Sequence, residues 1–316
     1  MAELLTMGEP LVCLASSQVD MPIEKVTQFR RYIGGAELNV ATGMSKLNHQ
    51  CIYVSQIGAD PFGRMVLGHL RKWDIDTTYV RIKENYWTGH QIKELVSKGD
   101  PQVYNYRTDT ATSHFDTHFM DAIDMSSFKI AHLTGILPGV APKAREAFDK
   151  LYFNLLKNNK VISFDTNIRL SLWEDKTDMR ETINRYAKNA TIVLPGVGEG
   201  KILMGSDDPE EIADFYLQGP KTKLVVVKLG SKGAFFKQKL GQKGYLPGFK
   251  VASVKDTVGA GDGFAVGVLS GLLEHLSVKD AVHRGNAIGA LQVQAYGDND
   301  GYPTPAQLET FYQQFE

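Results

Sequence analysis

DTVGAGD, at Asp256–Asp262, runs directly into a helical pattern of apolar residues. Its glycines let the backbone turn tightly and present N–H groups that no Cβ atom obstructs. A helix beginning near Ala260 directs the positive end of its dipole, and its unpaired N–H donors, toward one point. The segment therefore predicts an anion hole. The apolar stripe that makes the helix amphipathic is Phe264, Val268, Leu269, Leu272, Leu273 and Leu276.

An aspartate, Asp262, stands inside this predicted hole. A carboxylate is a poor ligand for phosphate, because like charges repel. It is well suited to take a proton from an alcohol that attacks a phosphorus held by the N–H groups. The segment thus indicates phosphoryl transfer to a hydroxyl, with Asp262 as general base beside Gly259, Ala260 and Gly261. The alternative is a tight turn between a strand and a helix, without any chemistry.

Composition is that of a globular protein. The chain has 316 residues and a net charge of −1, which gives no basic field for nucleic acid. No apolar run approaches the length of a membrane span, so no membrane partner is expected. Cys13 and Cys51 lie in apolar runs, which favours buried, reduced thiols and a cytoplasmic location.

Short apolar runs alternate with helical patterns along the chain. This alternation predicts an α/β fold, with a mostly parallel sheet covered by helices on both faces, in a single domain over residues 1–316. The strand candidates are Cys51–Ile57, Ile130–Leu133, Val161–Asp165, Thr191–Leu194 and Leu224–Leu229. The helix candidates are Leu38–Leu47, Gly63–Trp73, Ala141–Asn158, Met179–Lys188, Pro209–Tyr216, Val266–Leu276, Val278–Tyr296 and Pro305–Phe315.

Two segments, Val12–Ile33 and Trp87–Arg107, lack helical spacing and mix aromatic with polar residues. They predict antiparallel strands outside the main sheet, which form a small lid over its strand ends. Exposed edges and aromatic faces on such a lid favour pairing between copies. A homo-oligomer, a dimer or larger, is therefore expected.

Three segments together resemble the PfkB, or ribokinase-like, family of carbohydrate kinases. The loop Asp256–Asp262 resembles the family's C-terminal signature, YIGGAELNVA at 32–41 its N-terminal glycine pair, and Val227–Ala234 its nucleotide-side strand and turn. Their order and spacing agree over essentially the whole chain. The resemblance implies a ribokinase-like fold with a β-sheet lid, the cofactors ATP and Mg²⁺, and a sugar as acceptor. No G-x-x-x-x-G-K-[ST] motif is present, so a P-loop kinase is not indicated.

Within the family, three features resemble the 2-keto-3-deoxygluconate kinase subgroup. They are Asp165–Arg169 followed by Leu172-Trp173, Leu194-Pro195-Gly196 with Glu199, and Tyr106-Arg107. The resulting expectation is ATP-dependent phosphorylation of a sugar acid, 2-keto-3-deoxygluconate, to its 6-phosphate. The alternatives are a fructokinase- or ribokinase-like kinase of a neutral sugar and a non-catalytic regulator that binds sugar or nucleotide.

Two arginines argue for a sugar acid. A planar guanidinium matches a carboxylate bidentately, and a neutral sugar needs no such partner. The resemblance assigns Arg107 and Arg169 to the acid end of the substrate, whereas a surface or phosphate-side arginine is the alternative for each. Tyr106 is expected to add an aromatic wall. Gln91 falls where related enzymes often place a tyrosine.

The resemblance assigns further residues to the sugar. Gly34 and Gly35 are expected to let sugar hydroxyls approach the backbone, and Asn39 to bond those hydroxyls unless it only caps a helix. The segment Tyr296–Gly301 closes the substrate side or a monovalent-cation (K⁺) side, or is an ordinary turn. The substrate set is Gly34, Gly35, Asn39, Gln91, Asn105, Tyr106, Arg107, Arg169, Asp262 and Asp298.

A third group is assigned to the nucleotide and its metal ion. The nucleotide set is Asn167, Lys228, Gly230, Ser231, Gly233, Gly259, Gly261 and Asn286. Glu199 is expected to contact Mg²⁺ through water, because Mg²⁺ keeps most of its hydration shell. Gly196 replaces the usual asparagine of the N-x-x-E motif. The alternative for Glu199 is a favourable acid in the first turn of a helix.

Overall fold

The structure is a computed structural model that describes residues 1–98 and 101–315. The strands are β1 Ala2–Met7, β2 Leu11–Val19, β3 Phe29–Gly34, β4 Cys51–Gly58, β5 Val80–Lys83, β6 His90–Leu95, β7 Val103–Tyr106, β8 Phe128–Thr134, β9 Val161–Asp165, β10 Ile192–Val193, β11 Leu224–Lys228, β12 Gly233–Gln238 and β13 Lys243–Pro247. The helices are α1 Ala36–Lys46, α2 Pro61–Lys72, α3 Leu137–Val140, α4 Pro142–Lys157, α5 Lys176–Asn189, α6 Val197–Met204, α7 Pro209–Leu217, α8 Ala260–Leu273, α9 Val278–Gln292 and α10 Pro305–Tyr312. Each predicted strand and helix overlaps one of these elements.

The large sheet has the strand order β13-β12-β11-β10-β9-β8-β1-β4-β5. Pairing is parallel from β5 to β11, and β12 and β13 extend that edge as antiparallel strands. Successive residues of a strand pack on opposite faces of the sheet: Val225 lies in one buried cluster and Val226 in the other. This two-sided burial explains why the strands are apolar throughout. The predicted α/β fold is confirmed.

A separate four-stranded sheet, β3-β2-β6-β7, forms the lid. Its hairpin pairs β2–β3 and β6–β7 are antiparallel, as predicted, but β2 and β6 run parallel, with Cys13 opposite Gln91. The prediction of antiparallel strands is therefore wrong for this central pair. Only a hairpin forces antiparallel pairing, and here the chain between the two strands passes through β4 and β5 of the main sheet before it returns to the lid. That the chain forms one domain over 1–316 stays a prediction.

The break at Gly8–Pro10 divides the first apolar run between the two sheets. β1 lies in the large sheet and β2 in the lid, so Glu9 stands where the lid leaves the body of the protein. Along β6, the odd-numbered Gln91 and Lys93 face the body and line a cavity there. The even-numbered residues face outward, since side chains alternate across a strand. None of the helices in the described residues is long and apolar enough to cross a membrane.

Helix α8 is buried along most of its length and crosses α9 at very short range. A Cβ atom added at Gly267 would lie 2.5 Å from the Cα of Gly285. The two glycines therefore let the helix backbones approach closely. By contrast, Gly68 on α2 has nothing within 4 Å of its Cβ position.

This contrast predicts opposite effects of one substitution. Gly267→Ala should lower the free energy of unfolding by about 1–3 kcal/mol, because the helices must separate. The matched control Gly68→Ala should raise it by up to about 1 kcal/mol through helix propensity. Urea unfolding of both variants measures the difference. Equal stabilisation by the two changes would contradict the close crossing.

Candidate active site

The centre of the candidate site is the N-terminus of α8. Gly259 precedes the helix with φ +76°, and a Cβ atom there would lie 1.8 Å from the carbonyl oxygen of Asp298. Only glycine fits both this conformation and this contact. The Asp256 Oδ1 accepts from the N–H of Val258 at 3.1 Å, and the Tyr302 hydroxyl donates to the Gly259 carbonyl at 2.7 Å. The predicted turn and helix start are thus fixed from both sides.

Asp262 lies in the first turn of α8 and is only 9% exposed. Its carboxylate accepts from the Asn39 Nδ2 at 2.8 Å and from the Asn167 Nδ2 at 3.4 Å. Burial raises the pKa of Asp262 to about 6, with the hydrogen bond from Asn39 opposing the shift. Asn299, which lies in the Tyr296–Gly301 segment, donates to the Asn39 Oδ1 at 2.9 Å. Asn39 therefore holds the carboxylate rather than capping α1.

A cavity of about 570 Å³ opens between the lid and the carboxyl ends of the large sheet. Such a crevice is where ligands bind in parallel α/β sheets. It brings together most of the predicted site residues from segments far apart in the chain. Those that line it are Gly35, Asn39, Gln91, Asn105, Arg107, Asn167, Arg169, Glu199, Lys228, Gly259, Gly261, Asp262 and Asp298.

The expectation for Tyr106 is corrected by the structure. Gln91 and Asn105 are opposite each other in the β6–β7 register and line the cavity, so the adjacent Tyr106 points to the outer face of the lid. There its ring stacks on His90 with centroids 5.0 Å apart, and it is 51% exposed. Tyr106 therefore forms no wall of this cavity.

The two arginines have different environments. The Nε of Arg107 lies 2.7 Å from the Oε2 of Glu9, a buried carboxylate that sequence reasoning missed. Burial raises the pKa of Glu9, and the Arg107 charge opposes that rise. Arg169 is exposed at the cavity mouth and forms no ion pair within residues 1–98 and 101–315. Arg107 is thus anchored, whereas the guanidinium of Arg169 keeps most of its donors for a ligand.

Each glycine of the pair leaves room for neighbouring protein atoms. A Cβ atom at Gly34 would lie 2.0 Å from the Oδ2 of Asp298, so this glycine makes room for a carboxylate. Gly35 has φ +110°, and a Cβ there would meet the carbonyl oxygen of Glu9 at 2.3 Å. Burial raises the pKa of Asp298 to about 7, and the charge of Lys93 opposes the shift. Gly34 itself does not line the cavity.

Carboxylates outnumber basic groups around the cavity by six to four. Glu37, which the sequence did not single out, is buried in α1 and accepts from the Thr134 hydroxyl at 2.5 Å. Burial raises its pKa to about 7. The carboxylates lining the cavity are Glu9, Glu37, Glu199, Asp256, Asp262 and Asp298, and the cations are Lys93, Arg107, Arg169 and Lys228.

A second cavity, of about 300 Å³, adjoins the first and has apolar walls. The two share Lys228, Thr257 and Gly261, and so meet at the anion hole. The second cavity brings together the predicted nucleotide residues Gly230, Ser231, Gly233 and Asn286 with Phe249, Val251, Val254 and Val293.

Two polar contacts hold residues that line the second cavity. The Lys228 Nζ lies 2.6 and 2.7 Å from the two oxygens of Asp165. Burial alone would lower the pKa of Lys228, but the neighbouring Asp165 carboxylate raises it above its usual value. The Asn286 amide donates to the carbonyls of Leu246 and Pro247 at 3.2 and 3.1 Å, which ties α9 to the end of β13.

Glu199 fastens the loop after β9. Its carboxylate accepts from the Thr166 hydroxyl and the Gly196 N–H, each at 2.7 Å, and from the Ile168 N–H at 2.8 Å. The bond at 196 comes from the backbone, so this contact to Glu199 needs no side chain at that position. Between its hydrogen-bonded neighbours, Asn167 adopts φ +29° and points its amide at Asp262.

Two cavities meet at a helix N-terminus, and one of them holds a buried carboxylate. This arrangement is that of an enzyme that binds a polar substrate next to an anionic substrate. Residues 1–305 match the model of the pfkB family carbohydrate kinases. The chain therefore belongs to this family of carbohydrate kinases, as the sequence motifs predicted. It is 41% identical to the 2-dehydro-3-deoxygluconokinase of Bacillus subtilis (strain 168), over 98% of this chain and 95% of that one.

Solved structures agree with this placement. A PfkB protein from Polaromonas sp. JS666 is 38% identical, with a TM-score of 0.88 over 98% of this chain and 99% of that one. An uncharacterized sugar kinase from Pyrococcus horikoshii, solved in complex with ATP, is 26% identical, with a TM-score of 0.81 over 97% of each chain.

Proposed function

We propose that the protein phosphorylates a sugar acid, 2-keto-3-deoxygluconate (2-dehydro-3-deoxygluconate), at its 6-hydroxyl with ATP. One observation carries this proposal: Arg107 and Arg169 line the same cavity as the buried Asp262. Guanidinium groups pair with a carboxylate, and a buried carboxylate suits a general base. The identity to the Bacillus subtilis kinase over nearly the whole chain supports the choice of acid.

In the proposed reaction the sugar acid occupies the 570 Å³ cavity with its carboxylate toward the two arginines. Its primary hydroxyl lies at Asp262, which takes the hydroxyl proton as the oxygen attacks the γ-phosphorus of ATP. The bond from that phosphorus to the bridging oxygen breaks, and ADP leaves. The N–H groups at Gly259, Ala260 and Gly261 hold the transferred phosphoryl group. Negative charge that develops there is stabilised by the α8 dipole and by Lys228. The side-chain amides of Gln91 and Asn105 face the sugar hydroxyls.

ATP occupies the apolar 300 Å³ cavity, with its phosphates directed to the shared residues Lys228 and Gly261. A Mg²⁺ ion bound with the nucleotide would neutralise the charge of its phosphates. Glu199 suits a contact to this ion through a water molecule, because its carboxylate faces the cavity. That carboxylate already accepts three hydrogen bonds from the protein. Asn167 orients Asp262 beside the phosphates. The family resemblance also implies a monovalent cation such as K⁺ near Tyr296–Gly301, and this stays a proposal.

The role of Asp262 is tested by Asp262→Asn. The variant should lower kcat by about 10²–10⁴-fold, because the attacking hydroxyl loses its proton acceptor. Affinity for ATP should stay close to that of the wild type, since the anion hole is unchanged. Coupled ADP-release kinetics and nucleotide titration measure the two quantities. Near-normal kcat with intact ATP binding would show that Asp262 is not the base.

The pH dependence follows from the pKa of about 6 at Asp262. A base acts only when it is ionised, so kcat/KM for the sugar acid should fall as pH decreases through about 6. It should reach a plateau above that pH. Initial rates between pH 5 and 8 at saturating ATP test this, and a flat profile through pH 6 would count against the assignment.

The substrate class is tested by Arg169→Ala on a panel containing 2-keto-3-deoxygluconate, fructose and ribose. Loss of a bidentate arginine should raise KM for the sugar acid about 10-fold or more, with little effect on a neutral sugar. Arg169→Lys is the matched control, which keeps the charge but loses the planar fork. A wild-type preference for fructose or ribose would instead indicate a neutral-sugar kinase. Absence of turnover on every sugar and sugar acid would favour a non-catalytic binder.

We also propose that two copies pair through the outer face of the lid. On this face Leu14, Ile92 and Tyr104 are opposite one another on β2, β6 and β7, and Arg31 is opposite Leu14 on β3. The face also carries the exposed Tyr106 and Phe29. Analytical ultracentrifugation should show a dimer that Ile92→Glu converts to a monomer. Phe153→Glu, at a 64% exposed apolar residue on α4, is the control and should leave the dimer intact. A monomeric wild type would contradict the proposal.

A further inference from the structure

One buried ion pair joins the lid directly to the loop that forms the anion hole. The Nζ of Lys93, on lid strand β6, lies 2.7 Å from the Oδ2 of Asp256. The two side chains are 11% and 16% exposed, and both line the large cavity. Neither residue was given a ligand-binding role by its sequence motif.

The two oxygens of Asp256 serve two different structures. Oδ2 receives the Lys93 ammonium, whereas Oδ1 accepts from the N–H of Val258 at 3.1 Å. Val258 immediately precedes Gly259, whose left-handed conformation starts α8. The position of the Asp256 carboxylate therefore depends on the lid, and the turn before the anion hole depends on that carboxylate.

We infer that Lys93 is a positioning residue that couples the lid to the phosphate-binding turn. When a sugar holds the lid in place, the Lys93 charge holds Asp256 and the turn in the geometry that binds nucleotide phosphates. Sugar and nucleotide then strengthen each other's binding, as linkage requires. The inference deepens the proposed function and rests on it for the identity of the sugar.

A merely structural ion pair would leave this coupling unchanged. It would lower stability when broken, but the ratio of nucleotide affinities with and without sugar would stay the same. A direct contact between Lys93 and the sugar would weaken sugar binding alone. The coupling ratio therefore separates the positioning role from both.

The first experiment needs no substrate. Hydrogen exchange of the ligand-free protein is compared for the wild type, Lys93→Met and Asp256→Asn. Asn at 256 can still accept from the Val258 N–H, so the two variants remove the charge pair from opposite ends. Exchange at Val258 and Gly259 should accelerate roughly tenfold in Lys93→Met, because the local opening costs less. The control Lys25→Met, at an exposed lid lysine, should leave it unchanged.

The second experiment measures the affinity of a non-hydrolysable ATP analogue with Mg²⁺, with and without 2-keto-3-deoxygluconate. The sugar acid should tighten analogue binding by about fivefold or more in the wild type. This ratio of analogue affinities with and without the sugar acid should fall to near one in Lys93→Met and in Asp256→Asn. The double variant should show no further decrease. Lys93→Arg should restore the ratio. An undiminished factor in Lys93→Met would overturn the inference.

The two experiments also keep the inference separate from the proposed function. If the wild type neither binds nor phosphorylates the sugar acid, the substrate assignment fails. The exchange rates at Val258 and Gly259 still decide the coupling in that case, and unchanged rates in both Lys93→Met and Asp256→Asn would reject it. Faster exchange at Val258 and Gly259, together with loss of the sugar's effect on analogue affinity, supports the coupling.

Discussion

The carboxylate of Asp262 at the start of α8 is the feature on which the rest of the site depends. Burial opposes its charge, while the helix dipole and two amide donors favour it. The balance leaves a group that is ionised near neutral pH and still basic enough to accept a proton. Asn39 and Asn167, which hold it, come from α1 and from the loop after β9. The geometry therefore exists only when both halves of the large sheet are assembled.

The cavity around this carboxylate is unusual for a site proposed to take an anion. Six carboxylates line it, and an anionic ligand would be repelled if all were ionised and unpaired. Asp256 is paired with Lys93, and Glu199 accepts three hydrogen bonds. Glu9 is paired with Arg107, and burial holds the pKa of Glu37 and Asp298 at about 7. Because neutral or paired acids repel an anion weakly, Arg169 and the α8 N-terminus set the local potential. The same carboxylic acids can then donate or accept hydrogen bonds to sugar hydroxyls.

The sequence predicted the fold and the centre of the site because these rest on local rules. Apolar runs specify parallel strands, and Gly259 in DTVGAGD specifies a turn whose φ value other residues rarely adopt. It could not predict which face of the lid Tyr106 occupies, because a shift of one residue in strand register reverses every side chain. It also missed the pairs Glu9–Arg107 and Lys93–Asp256, which join residues 98 and 163 positions apart. Gly34 was assigned to the sugar although its space is taken by Asp298, a contact of the same long-range kind.

The distribution of charge between lid and body implies that lid position and ligand binding depend on each other. Two of the four cations, Lys93 and Arg107, belong to the lid segment, and their carboxylate partners Asp256 and Glu9 stand outside its strands. Lifting the lid would leave both carboxylates without their partners, and a buried unpaired charge is costly. It would also remove half of the positive charge from a cavity proposed to bind a sugar acid and ATP. A closed lid thus favours the anionic ligands, and the ligands in turn add negative charge that attracts the cations of the lid.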